Sequence, residues 1–139
     1  MTKQTILPKI PSVLIRMALH DLAIVRKDKR YEIDNFYWHE PQKDENKCYA
    51  CLAGAVMANT LGALPTDNLM PSNFGKNKRQ LVAIDCLRRG AVDEAFFELG
   101  IRLKNPYELN RYITDYADNY RDFRSDMLRL ARDLKKAGY

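Results

Sequence analysis

Eight residues near the C-terminus, Leu109, Ile113, Tyr116, Tyr120, Phe123, Met127, Leu130 and Leu134, recur at alternating spacings of four and three without a miss. Their pattern is a heptad seam, and a helix brings such residues to one side. Asn105-Pro106 supplies its start, with asparagine as cap and proline in the first turn. No proline or glycine follows until Gly138. The spacing predicts one long helix over about 106–136, with a break near Asp115–Asn119 as the alternative. Two tyrosines and a phenylalanine in the seam suit packing on a globular body better than a regular two-stranded coil. The expectation is a monomer, with a dimer through this helix as the open alternative.

With 139 residues the chain is long enough for one domain with a core of its own. Pro8 and Pro11 keep residues 1–10 as an extended arm. Pro11-Ser12 then opens a helix, with Ser12 as its cap, that runs to about Arg26. Leu14, Met17 or Ala18, Leu22 and Val25 form its apolar face. Tyr31 to His39 reads as a short strand or extended segment, and Glu40 to Asn46 as a polar loop in which Pro41 cannot donate. A second helix starts at Cys48 or Tyr49 and ends at Gly62. Ala53, Gly54, Ala55 and Ala58 let neighbours approach it closely, so it reads as the central helix, with the C-terminal helix packed along it. Residues 63–75 form a loop, and two further helices cover about Lys76 to Arg89 and Val92 to Leu99. The predicted fold class is therefore mainly α, a compact single helical domain over residues 1–139.

No apolar run approaches the length of a membrane span, and Val13 to Val25 is broken by Arg16, His20 and Asp21, unlike a signal peptide. The expected setting is a cytoplasm, where three cysteines stay reduced. The net charge of +5 is unevenly spread. Residues 1–30 hold seven basic and two acidic side chains, whereas residues 31–75 hold two basic and six acidic. The basic excess gathers at Arg26, Lys27, Lys29 and Arg30, and again at Lys76, Lys78, Arg79, Arg88 and Arg89. Such clusters can meet phosphates, although solvated helix ends and loops give the same pattern.

Chemistry, if there is any, centres on Cys48-Tyr-Ala-Cys51. A structural zinc site needs four ligands, usually as two close pairs. Here one pair stands alone, with Cys86, His39 and His20 scattered. A redox site needs a thioredoxin-like sheet, and the elements read from this chain do not supply one. Cys51 and Cys86 read as core, with Cys48 at its edge. His39, beside Trp38 in a surface segment, is the better functional histidine. The run Phe36-Tyr37-Trp38-His39 cannot face one core if extended, so Tyr37, Trp38 and His39 are candidate partner contacts. Gly90 and its flanking helices outline a helix-turn-helix, but Asp93 and Glu94 would repel phosphate at the recognition position. No phosphate-binding glycine loop or HExxH pattern occurs, and no catalytic residue or cofactor is expected.

The segment Cys48-x-x-Cys51-Leu-Ala-Gly-Ala-Val-Met-Ala58, after Trp38-His39 and before Leu87-Arg88-x-Gly90, resembles small uncharacterised proteins encoded by bacteriophages and prophages. The similarity covers about residues 11–92. It implies expression in a bacterial cytoplasm during infection. By analogy it also implies a non-enzymatic accessory role, binding and modulating a host bacterial protein, as in counter-defence. Two other readings stay open: a nucleic-acid or nucleotide-binding protein using the basic clusters, and a small zinc-dependent or hydrolytic enzyme.

Overall fold

Pro11 opens helix α1 (Pro11–Val25) in a computed structural model that describes residues 7–8, 10–34, 37–70 and 120–139. Proline at the first helical position sacrifices no hydrogen bond and presets the backbone angle. Ile10, not Ser12, is the N-cap, and it makes no side-chain cap bond. Ser12 lies inside the helix and is buried. Leu14, Ala18, Leu22 and Val25 are buried as their spacing predicts, joined by Ile15 and Leu19. The broader apolar surface has a cause: α1 packs against two other helices, described below.

The fold is not mainly α. Three short strands, β1 (Tyr31–Ile33), β2 (His39–Gln42) and β3 (Lys47–Ala50), form a sheet in the order β1-β3-β2. β1 runs parallel to β3 and β2 antiparallel to it, so the described residues form a mixed α/β unit. The segment predicted as extended over Tyr31 to His39 holds β1 and the first residue of β2, and Glu40 to Gln42 of the predicted polar loop belong to β2. Pro41 sits in this edge strand without breaking it. Its partner Cys48 sends its N–H the other way, to the Arg30 carbonyl at 2.8 Å, so no ladder bond is asked of Pro41. Asn46 closes the hairpin with φ 57°, a left-handed conformation that asparagine tolerates.

Alternation divides the sheet cleanly. Tyr31, His39, Cys48 and Ala50 are buried on the inner face, while Glu32, Glu40, Lys47 and Tyr49 occupy the outer one.

Cys51 is the N-cap of helix α2 (Leu52–Asn59), so the helix starts after the cysteine pair rather than at Cys48. Every residue from Leu52 to Met57 is buried. Gly54 is required by close approach: a Cβ there would lie 1.8 Å from the Trp38 carbonyl oxygen. Gly62, with φ 78°, turns the chain after the helix, and Ala63 donates its N–H back to the Met57 carbonyl at 2.9 Å.

The C-terminal helix is described as α3 (Tyr120–Lys136). Its seam residues Phe123, Met127, Leu130 and Leu134 are buried together with Ala131. They pack on α1, not along α2 as the small-residue surface suggested. Among the described elements the layers run α3, α1, α2, sheet, and α1 packs against both of the other helices. Leu7 closes one part of the same core. Residues 1–6 and 9 of the arm, the helices predicted over 76–89 and 92–99, and the 106–119 part of the long helix lie outside the described residues. So do Lys76, Lys78, Arg79, Cys86, Arg88 and Arg89. No described helix is long and apolar enough to cross a membrane.

Candidate functional site

The two cysteines of the pair belong to different elements. Cys48 lies in β3 and points to the inner face, whereas Cys51 caps α2, and both are buried. Cys51 Sγ lies 3.9 Å from the Trp38 carbonyl oxygen, and Cys48 Sγ lies against the His39 ring. The shared helical face that would let both thiols reach one ion does not form. Among the described residues, no group of three or more His, Cys, Asp or Glu side chains is placed to hold a metal.

Cys48 is instead one member of a buried cluster with Tyr31 and His39. Register brings Tyr31 beside Cys48, and His39 beside Ala50, across the three strands. His39 Nδ1 stands 2.6 Å from the Asp67 carbonyl oxygen, which can only accept. Nδ1 therefore carries the proton, and Nε2 is left to accept from the Tyr31 hydroxyl at 2.9 Å. Both ring nitrogens are thereby satisfied. Cys48 Sγ is 3.5 Å from Nδ1 and 3.7 Å from Nε2. A sulfur in line with one nitrogen would be clearly farther from the other, so the thiol lies over the ring face rather than in a thiol–imidazole hydrogen bond.

The electrostatics agree. Burial pushes the Cys48 thiol up to about 12, the negative charge of Asp67 acts in the same direction, and a backbone hydrogen bond from Glu40 opposes them. Burial lowers the pKa of His39, opposed by its bond to Asp67. Burial also raises the Tyr31 hydroxyl. Nucleophilic catalysis needs a thiolate and a base free to take its proton. This cluster holds a neutral thiol beside an imidazole whose nitrogens are both engaged. Its effect is to tie the 64–69 loop to the sheet, reinforced by the Leu69 N–H donating to the His39 carbonyl at 2.9 Å. His39 is fully buried, contrary to its reading as a surface contact.

Sequence reading missed a second buried polar group. Asp21 accepts from Asn59 Nδ2 at 2.7 Å and from the Thr60 hydroxyl, latching α1 to the end of α2. His20, largely exposed, has Nδ1 3.9 Å from the same carboxylate. A signal was present: Leu14, Ala18, Asp21 and Val25 fall at spacings of four, three and four, so Asp21 occupies an apolar stripe.

Tyr37 and Tyr49 form a T-shaped pair with ring centroids 5.3 Å apart. The Tyr49 hydroxyl donates to the Glu45 carboxylate, and that bond raises its pKa to about 12. Trp38 is half-buried against the core, its carbonyl seated on Gly54. In the first basic cluster, the Arg26 guanidinium stacks 3.8 Å from the Tyr120 ring centroid, and Asp28 holds Arg30 in a fork at 2.7 and 3.0 Å. Lys27 and Lys29 are exposed. No protein family, curated protein or solved structure matches the chain.

Proposed function

We propose that the protein is a non-enzymatic accessory factor of bacteriophage type. It binds and modulates a host bacterial protein in the bacterial cytoplasm, in a counter-defence role. The phage-like segment supports the setting, and the sheet supports the binding mode. One observation carries the latter: the inner face engages Cys48, His39 and Tyr31 in internal contacts, while the outer face offers the half-exposed Tyr37–Tyr49 pair. Rigid aromatic side chains are the usual anchors of protein interfaces. Tyr37 and Tyr49 are the contact residues of this reading, with Trp38 holding the segment in place from below.

The nucleic-acid alternative draws less from the described residues, since Arg26 stacks on Tyr120 and the second basic cluster lies outside them. The zinc or hydrolytic alternative draws nothing from Cys48 and Cys51, which face different surroundings.

The test is capture from a bacterial lysate with the wild-type chain and with a Tyr37→Ala/Tyr49→Ala variant. The wild type should retain a defined protein, and the double variant should lose it by at least about tenfold, the loss expected for removal of interface anchors. Retention of nucleic acid alone, released by salt, would reverse the choice.

A further inference from the structure

A cleft of about 310 Å³ opens at the end of the sheet where β1 and β3 begin. Arg30, just ahead of β1, and Lys47, the first residue of β3, both line it. The Cys48 N–H to Arg30 carbonyl bond of 2.8 Å holds these two strand starts side by side. Gln42 lies opposite Lys47 in β2, Asn46 belongs to the hairpin turn, and Thr66 comes from the loop that His39 pins down. All five of these residues carry side-chain donors, and among the described residues no carboxylate lines the cleft.

That composition runs against its neighbourhood. Residues 31–75 hold six acids and two bases, yet one of the two bases lines this cleft and none of its described lining residues is an acid. Like charges at neighbouring strand positions repel, so Arg30 beside Lys47 costs stability unless something answers it. The answers on the protein are partial. Asp28 takes Nε and one Nη of Arg30, leaving the remaining guanidinium donors. Glu32 stands 4.0 Å from Lys47 Nζ, beyond hydrogen-bond reach.

We infer that this cleft is a binding site for a small phosphate-bearing molecule. Lys47 and the guanidinium donors of Arg30 that Asp28 leaves supply charge-assisted bonds for a phosphate monoester, and the side-chain donors of Gln42, Asn46 and Thr66 line the same cleft. The volume lies at the lower end of ligand pockets and suits a phosphate with a small body attached. Pro41 and Pro65 give the cleft an apolar wall against which that body rests. The site is separate from the Tyr37–Tyr49 surface, so either can fail without the other.

Backbone amide signals followed by NMR during titration with inorganic phosphate, glycerol 3-phosphate and a nucleoside monophosphate test the site. The expected result is a saturable shift confined to residues 46–48 and 66. Lys47→Gln should weaken it about tenfold, as loss of one charge-assisted hydrogen bond does. Lys27→Gln, which removes an exposed cation outside the cleft, should leave it unchanged. Lys47 is itself exposed, so a thermal melt of the variant serves as the folding control. Tighter binding of one monoester than of inorganic phosphate identifies the attached body, and equal binding identifies the phosphate group alone. Shifts that never saturate, or that Lys27→Gln reduces as much as Lys47→Gln, would overturn the inference.

Discussion

Tyr31 and Tyr49 stand one residue out of register on neighbouring strands, and the pleat sends them to opposite faces of one sheet. Inside, the Tyr31 hydroxyl donates to His39, which donates its own ring proton to the Asp67 carbonyl, under a thiol and out of reach of water. Outside, the Tyr49 hydroxyl donates to the Glu45 carboxylate, with Tyr37 against its ring. The bonds are of the same kind, yet their consequences differ. A group that loses its partner outside turns to water, whereas one that loses it inside bears the full desolvation penalty. The inner face is therefore held in one arrangement, and the outer face keeps its side chains available to a partner.

Four experiments test this contrast. The largest effect belongs to Gly54→Ala, because the added Cβ meets the Trp38 carbonyl at 1.8 Å and the Ala50 Cβ at 2.8 Å. Backbone must move, and urea unfolding should show a loss of about 4 kcal/mol or more. A variant as stable as the wild type would mean that α2 does not close the inner face.

His39→Ala comes next, at about 3 kcal/mol by the same measurement, since it strands the Asp67 carbonyl and the Tyr31 hydroxyl and leaves a void. A cost below about 1 kcal/mol would indicate that water reaches the cluster and that the two faces are alike.

The pH profile is the third. Burial lowers the folded pKa of His39, so the unfolded chain binds a proton that the folded chain refuses. The stability due to neutral His39 is complete above about pH 6.5, its unfolded value, and is lost as pH falls below that towards the folded pKa. Cys48 works on the other side. Its folded pKa is raised from 9.0 to about 12, so its contribution is complete below 9.0 and is lost as pH rises through about 12. Urea midpoints on both sides of neutrality should show both declines, and His39→Ala should flatten only the acid one. An acid limb unchanged in that variant would assign the decline to other groups.

The smallest effect is that of Tyr49→Phe. It removes the bond to Glu45 on the outer face, and the urea midpoint should stay at the wild-type value within experimental scatter. A clear fall would mean that the outer face supports the fold as much as the inner one does.

Legibility in the sequence depended on how many residues carried each signal. The boundaries of α1 follow from Pro11 and four apolar positions, and the seam of α3 from residues that the structure buries as spaced. Gly62 turns the chain where its type suggests. The sheet is hidden because its strands are three or four residues long and one contains proline. Cys48-Tyr49-Ala50 alternates inward, outward, inward, but three residues next to a stretch of small and apolar residues look equally like the first turn of a helix. His39 and Asp67 are 28 residues apart, so nothing local joins them. Asp21 is visible as a carboxylate in an apolar stripe, though its partners Asn59 and Thr60 are not.

Residue order is enough to specify the helices whose apolar period repeats often enough to outweigh chance, and the closeness of packing that Gly54 and its neighbouring alanines require. Long-range contacts make Cys48 a strand residue, put His39 inside and rest the seam of α3 on α1. The reason is physical. A helix satisfies its backbone within one segment and announces itself through repetition. A strand, a buried imidazole and a latching carboxylate are satisfied only by groups distant in the chain.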